Sequence, residues 1–243
     1  MSLLEVKALT KRFGGVTAVH QVDFTIAEGE ILGMIGPNGA GKTTLFHLIT
    51  GFHGRDEGHI LFKGEEISAF RPDQICKKGI TRTFQIVKPF SHLTVLQNVT
   101  IGALNRVPET GPARQLALET LRFTGLEKKK DQLGIHLTTP ERKRLELARA
   151  LATRPQLLLL DEVMAGLRPK EIEEMIALIR EIRAKGITVF VIEHIMKVIM
   201  SLSDRIVVLN YGEKIATGTP AEISKDQKVI KAYLGKEYVF AEG

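Results

Sequence analysis

Between Gly36 and Thr44 the chain reads GPNGAGKTT, with glycines at its first, fourth and sixth positions ahead of a lysine and two threonines. The stretch fits G-x-x-x-x-G-K-[ST]. It follows the apolar run Ile31 to Ile35 and precedes the helix-like TTLFHLITG, the context in which this pattern binds phosphate. Gly36, Gly39 and Gly41, with Asn38 among them, let backbone N–H groups converge on an anion, and the following helix N-terminus adds a favourable dipole. In that chemistry Lys42 reaches the β- and γ-phosphates and Thr43 sets its hydroxyl on Mg²⁺, with Thr44 in the same turn.

A second set of polar residues stands at strand ends. LLLL (Leu157 to Leu160) reads as a strand buried on both faces, and it ends in Asp161 and Glu162. Ligands of open α/β sheets sit at such carboxyl ends. Asp161 is placed to help hold Mg²⁺, and Glu162 to polarise an attacking water as general base. ITVFVIEH repeats the geometry and ends in His194, which a neighbouring parallel strand would deliver beside Glu162. Gln85 is a polar tip on GITRTFQ. Phe13, in LTKRFGG, is either a base-stacking aromatic or a core or loop phenylalanine, and both readings stand.

The elements that must position these residues follow from periodicity. The first third reads as strands: LEVKALTKRF, then two in VDFTIAEGEILGMIG around a Glu-Gly-Glu turn, then GHILFKGEEI. In the middle, Thr94 stands three residues before Gln97, a capping-box spacing. ARQLALETLRF predicts a helix ended by Gly125, and Pro140 to Ala152 predicts another, with Leu145, Ala148 and Ala152 on one face. Residues 86–151 thus read as a mostly helical insertion. The last third alternates strand and helix, which implies a parallel sheet with crossovers, and closes with a hairpin over Tyr211 and Gly212.

Composition narrows the function classes. With 243 residues the chain suits one generous domain or one with an inserted subdomain. Absent tryptophan and three tyrosines argue against a base-stacking nucleic-acid surface. The net charge of +6 is scattered, and its one tight run, Lys128 to Lys130, reads as a solvated helix end, so no nucleic-acid partner is expected. The single Cys76 excludes an internal disulfide and a Cys-rich zinc site, and fits a reducing compartment. No secretory pattern opens the chain and no apolar run reaches membrane-spanning length, so the expectation is a cytoplasmic protein that does not itself cross a membrane.

Taken in order, these features resemble the ATP-binding cassette (ABC) family over essentially the whole chain. Phe13 matches its adenine-stacking aromatic, Gly36 to Thr43 its Walker A loop and Gln85 its Q-loop. Leu157 to Glu162 match Walker B with the catalytic glutamate, and His194 matches the switch histidine. The resemblance implies an α/β fold, a P-loop NTPase of ABC type with an antiparallel β subdomain and an inserted α-helical subdomain. Residues 1–85 and 152–243 would form the RecA-like core with the antiparallel β subdomain, and 86–151 the helical subdomain carrying the signature.

It also implies an ATPase that uses ATP and Mg²⁺, with Lys42, Gln85, Glu162 and His194 as catalytic residues and Thr43, Gln85 and Asp161 toward the metal. Two such chains, identical or sister, would pair head to tail. Each ATP would then lie between one P-loop and the other chain's signature. The partners implied are transmembrane permease subunits and, indirectly, a periplasmic or extracellular solute-binding protein. The place implied is the cytoplasmic face of the membrane, with residues 86–91 as candidate docking surface. RTFQIVKPFSHLTVLQNVTIGAL, ERKRLELARALATRP and VIKAYLGKEY are similar to the ATPases of branched-chain amino-acid importers, with the lipopolysaccharide-export ATPase as nearest competitor.

The signature departs from the family's Leu-Ser-Gly-Gly-Gln: this chain has Leu137, Thr138, Thr139, Pro140 and Glu141. Thr138 keeps the hydroxyl, Thr139 is expected as the N-cap of the next helix, and Pro140 withholds one N–H from a phosphate. Such a charge-assisted hydrogen bond is worth about 1.5–3 kcal/mol, roughly ten- to a hundredfold in rate. Val163 replaces a proline, and Arg168 stands at the D-loop's usual aspartate. Those departures support a competing reading, a low-turnover nucleotide-gated regulatory subunit. A third is a soluble cassette acting on ribosomes or DNA, whose usual second cassette or long coiled coil is not in this sequence.

Overall fold

The computed structural model of the chain describes residues 2–84 and 88–234. Two long strands, β1 (Ser2–Phe13) and β2 (Val16–Ala27), are followed by β3 (Ile31–Ile35), helix α1 (Lys42–Ile49) and the hairpin β4 (Glu57–Phe62) and β5 (Glu65–Glu66). Helix α2 (Pro72–Lys78) leads to β6 (Ile80–Arg82), α3 (Val95–Ala103) and α4 (Thr110–Phe123). After two short 3₁₀ turns come α5 (Thr139–Ala152), β7 (Leu157–Asp161) and α6 (Pro169–Ala184). The described chain ends with β8 (Thr188–Ile192), α7 (Met196–Leu202), β9 (Arg205–Asn210), β10 (Glu213–Gly218), α8 (Pro220–Ile223) and α9 (Gln227–Leu234). It divides into two compact units, one formed by residues up to Pro72 and from Thr188 on, the other by Asp73–Ile187.

In the first unit β1 lies between β2 and β4 in an antiparallel layer. Val22, Phe24 and Ile26 are buried while Asp23 and Thr25 between them are exposed, the alternation of a half-covered sheet. A parallel layer is built on β3, with β8 on one side and β9 on the other, and β10 returns antiparallel to β9. Every residue of β3 and β8 is buried, which is why both read as unbroken apolar runs. The rings of Phe46 from α1 and Phe24 from β2 both meet Phe190 of β8, at 4.9 and 5.5 Å, so both layers and α1 share one core.

In the second unit β6 and β7 pair in parallel, with Arg82 opposite Leu159. Helices α3, α4 and α5 enclose a cluster that includes Val99, Ala117, Leu121, Leu145 and Ala148, all fully buried. Leu145, Ala148 and Ala152 do share the inward face of α5. The Thr94–Gln97 capping box closes the start of α3 as its spacing predicts. Buried Asn98 pins the preceding loop, accepting the Phe90 N–H and donating to the Phe90, Leu93 and Thr94 carbonyls.

Two local expectations change. The N-cap of α5 is Thr138, not Thr139, because Glu141 stands three residues after Thr138 and completes a capping box there. Thr139 is the first helical residue and Pro140 the second. Helix α2 has no counterpart in the sequence reading: its seven residues bury only Ile75, too little for a 3.6-residue period.

Candidate functional site

In the first unit the buried strand β3 runs out at Ile35, and the chain crosses Gly36 to Gly41 before α1 begins. At Gly41, φ is +99° and a Cβ would stand 2.3 Å from the Ala18 carbonyl oxygen, so only glycine fits. Asn38 and Gly39 form the exposed tip, Thr43 is exposed and Thr44 half-buried. The Lys42 ammonium folds back into the loop, donating to the carbonyls of Gly36 at 2.6 Å and Pro37 at 3.0 Å. Helices α3 and α5 each start with a capping box and the Glu171 carboxylate accepts the Arg168 N–H at the start of α6, whereas α1 starts at Gly41 with no side-chain cap and no acid in its first turn. The orphan N–H groups and positive dipole end of α1 therefore face the loop's concavity beside a cation, an arrangement suited to phosphate.

Strand β8 runs parallel to β3 with Ile192 opposite Met34, so both chains leave the sheet at the same edge. His194 is exposed two residues beyond that edge, after the fully buried Glu193. Phe13 ends β1 with 45% of its surface exposed and is not a core residue. Its ring packs edge-on to His53 at 5.3 Å, His53 packs on His47 at 4.9 Å, and the Lys11 ammonium lies 5.4 Å from the Phe13 centroid.

In the second unit Asp161 ends β7 and is 2% exposed. Arg82, at the end of the paired strand β6, donates to its carboxylate at 2.9 Å, and Thr83 Oγ1 accepts the Asp161 N–H at 3.2 Å. Burial lowers the Arg82 pKa against the pull of Asp161, yet a guanidinium stays charged. The pair sets a counter-charge beside the carboxylate buried at the strand end.

Glu162, next in sequence, is half-buried with φ +49°. A left-handed backbone at a non-glycine residue costs roughly 1–3 kcal/mol. The Glu162 carbonyl accepts two hydrogen bonds in this conformation, from the Ala165 N–H at 3.2 Å and from the Lys143 ammonium at 3.1 Å. A charge-assisted bond contributes about 1.5–3 kcal/mol, enough to offset the strain. Lys143 belongs to α5. One turn on, Glu146 accepts the Phe84 N–H, and burial raises its pKa against that bond and against Lys143, Arg149 and Arg82. A further turn on, Arg149 donates to the Lys88 carbonyl at 3.2 Å and covers the Phe90 ring at 4.6 Å.

At the N-terminus of α5, the Glu141 carboxylate accepts both the Thr138 N–H and the Thr138 hydroxyl at 2.9 Å and pairs with Lys129 at 3.3 Å. Burial pushes this carboxyl up, but the Thr138 and Lys129 contacts outweigh it and its pKa is lowered. Thr138, Pro140 and Glu141 line a groove of about 1020 Å³ together with Lys129, Arg168 and Lys170. Arg168 caps α6: its N–H and guanidinium both meet the Glu171 carboxylate, at 2.6 to 2.9 Å.

The structure thus gathers Gly36 to Thr44 with His194 at one sheet edge of the first unit. Within the second it ties Asp161 to Arg82 and Thr83 and Glu162 to α5. Gln85 and the first two residues of the loop 86–91 lie outside the described residues. Arg82, Lys143 and Glu146 escaped the sequence reading because their partners are 79, 19 and 62 residues away. An arginine at the end of a short strand, Ile80–Arg82, was the available signal, since a buried arginine requires a carboxylate.

A family model described as ABC transporter matches residues 19–165, and one described as Branched-chain amino acid ATP-binding cassette transporter matches 213–239. The High-affinity branched-chain amino acid transport ATP-binding protein BraF of Pseudomonas aeruginosa is 41% identical over 96% of this chain and 98% of its own length. LivG of Escherichia coli K12, of the same description, is 39% identical over the same shares. The Lipopolysaccharide export system ATP-binding protein LptB of Haemophilus influenzae is 34% identical over 98% of this chain and 99% of its own. Among solved structures, a nucleotide-free ATP-binding cassette from an ABC transporter superposes with a TM-score of 0.89 at 31% identity, covering 97% of this chain and all of that one. A phosphate loop followed by an uncapped helix, a strand ending in paired carboxylates, and likeness along nearly the full length lead to one conclusion: this chain belongs to the ABC transporter family, as a nucleotide-binding ATPase subunit.

Proposed function

We propose that this chain is the Mg²⁺-dependent ATPase of an importer for branched-chain or related amino acids. The identity of its full-length relatives carries the transport assignment: 41% and 39% to branched-chain amino acid transport ATP-binding proteins, against 34% to a lipopolysaccharide exporter's. The C-terminal match over 213–239 supports the same class.

In this reading the Gly36–Thr44 loop and Lys42 hold the ATP phosphates, and Phe13 stacks on the adenine. Thr43 and Asp161, with Gln85, would hold Mg²⁺. Their donor set suits that ion, since Mg²⁺ takes oxygen ligands and is bound by one or two carboxylates plus substrate phosphates. When bound, Mg²⁺ neutralises charge developing on the phosphates. Glu162 accepts a proton from the water whose oxygen attacks the γ-phosphorus as the bond to ADP breaks, and His194 donates a hydrogen bond to that phosphate.

Thr138 and Thr139, at the N-terminus of α5, face the nucleotide of a second cassette, and residues 86–151 form the helical subdomain that carries them. One solved relative, 27% identical with a TM-score of 0.81, is described as a dimeric post-hydrolysis state bound to ADP and Pi, which supports pairing. Permease subunits dock near residues 86–91, and the chain sits peripherally on the cytoplasmic face of the membrane. The low-turnover reading retains one supporting observation: the Thr138 hydroxyl is engaged by Glu141 rather than turned outward alone.

The test is Mg²⁺-dependent ATP hydrolysis by the full chain with its co-purifying membrane subunits. Lys42→Ala should abolish it, and Glu162→Gln should trap an ATP-bound dimer. Wild-type turnover no higher than that of Lys42→Ala would establish the regulatory reading. Uptake of radiolabelled leucine by the assembled complex checks the solute class.

A further inference from the structure

Three charged side chains of α5 each take hold of a main-chain segment in the same unit. Lys143 donates to the Glu162 carbonyl at 3.1 Å, Glu146 accepts the Phe84 N–H, and Arg149 donates to the Lys88 carbonyl at 3.2 Å. Spaced three residues apart, they run along one side of the helix. Lys143 and Glu146 are each only 7% exposed, so neither interaction is a screened surface contact. The segments they hold flank residues 85–87 on both sides and include the residue read above as the hydrolytic base.

We propose that Lys143 is the positioning residue for Glu162, and that α5 ties the Glu162 backbone to Phe84 and Lys88 through this charged row. The argument starts from the φ of +49° at Glu162. A non-glycine residue relaxes out of that conformation unless its surroundings over-determine it. The Glu162 carbonyl is fixed from two sides, by Ala165 N–H and by the Lys143 ammonium. If the ammonium is lost, φ is free to return to negative values, which rotates the Cα–Cβ bond and carries the carboxylate away from its aim. Misplacement of a reacting group by about 1 Å costs on the order of a hundredfold in rate. In this role Lys143 acts through the Glu162 carbonyl that it holds.

Because α5 also carries Thr138 and Pro140 at its N-terminus, whatever presses on that end reaches Glu162 through about one turn of helix, ending at Lys143. The same row anchors Phe84 and Lys88, so a load on the 88–91 segment reaches the carboxylate through α5 as well. This inference rests on the reading of Glu162 as base, and the experiment separates the two.

Steady-state ATP hydrolysis and equilibrium ATP binding are measured for the full chain and for Lys143→Met, Lys143→Arg and Glu162→Gln, with a thermal melt of each. Lys143→Met keeps the side-chain length without the donor. Its kcat should fall ten- to a hundredfold while its KM and ATP Kd stay within about twofold. Lys143→Arg, which can donate again, should recover most of the rate. An unchanged kcat in Lys143→Met overturns the proposal, as does a loss of ATP binding and melting temperature that Lys143→Arg does not restore. If Glu162→Gln itself turns over at the wild-type rate, the base assignment fails, independently of what Lys143→Met does.

Discussion

At Pro140, α5 gives up one N–H in its first turn, where four such groups lack helical partners. The ring also restricts the unfolded chain, so Pro140→Gly should lower stability by about 0.5–1 kcal/mol in urea unfolding. The restored N–H adds a donor at the groove, and turnover of the assembled complex should rise roughly tenfold or more. An unchanged rate would show that this N–H does not limit hydrolysis. Glu141, beside it, makes a prediction in pH. Its carboxyl titrates below its ordinary value of 4.5 in the folded chain because Thr138 and Lys129 hold the charged form. A lowered carboxyl pKa contributes stability that is present above 4.5 and lost as pH falls through the folded value. Unfolding free energies followed from about pH 6 to about pH 3 should fall less steeply for Glu141→Gln than for the wild type.

Helices α3 and α5 approach so closely that a Cβ on Gly102 would stand 2.4 Å from the Arg149 carbonyl oxygen. Gly102→Ala should therefore separate the two helices and cost about 1–3 kcal/mol, read from the urea midpoint, despite alanine's better helix propensity. That contact was not legible, since a glycine inside IGAL says nothing of which backbone it faces. The α3 cap was legible, because Thr94 and Gln97 carry a rule of fixed spacing. The same rule applied to Thr138 and Glu141 gives the true start of α5, and Pro140 drew the N-cap one residue too far along. The phosphate loop was legible for a different reason: its whole geometry is local, nine consecutive residues between a strand and a helix. Lys143, Glu146 and Arg82 act at long range, and only the parallel register of β6 on β7 and the seating of α5 bring their partners near.

For the whole molecule, no helix among the described residues is long and apolar enough to cross a membrane. The proposed docking on permease subunits makes the chain a peripheral one, and this can be tested. Alkaline carbonate washing of membranes that hold the assembled complex should release this chain to the supernatant and leave the permease subunits in the pellet. Retention of the chain in the pellet would contradict peripheral attachment.

The placement of β3 also bears on how the molecule is made. Its flanking strand β8 is encoded about 150 residues later and β9 later still, so the strand that launches the phosphate loop leaves the ribosome with both edges bare. At translation speeds of 5–20 residues per second that interval lasts roughly 8–30 s. Strands β1, β2 and β4 can pair meanwhile, and the whole of Asp73–Ile187 is synthesised before β8 appears. For that period Ile31 to Ile35 is an unpaired apolar segment of the kind that seeds aggregation and engages chaperones. The ability to hold a nucleotide is thus among the last properties the nascent chain acquires.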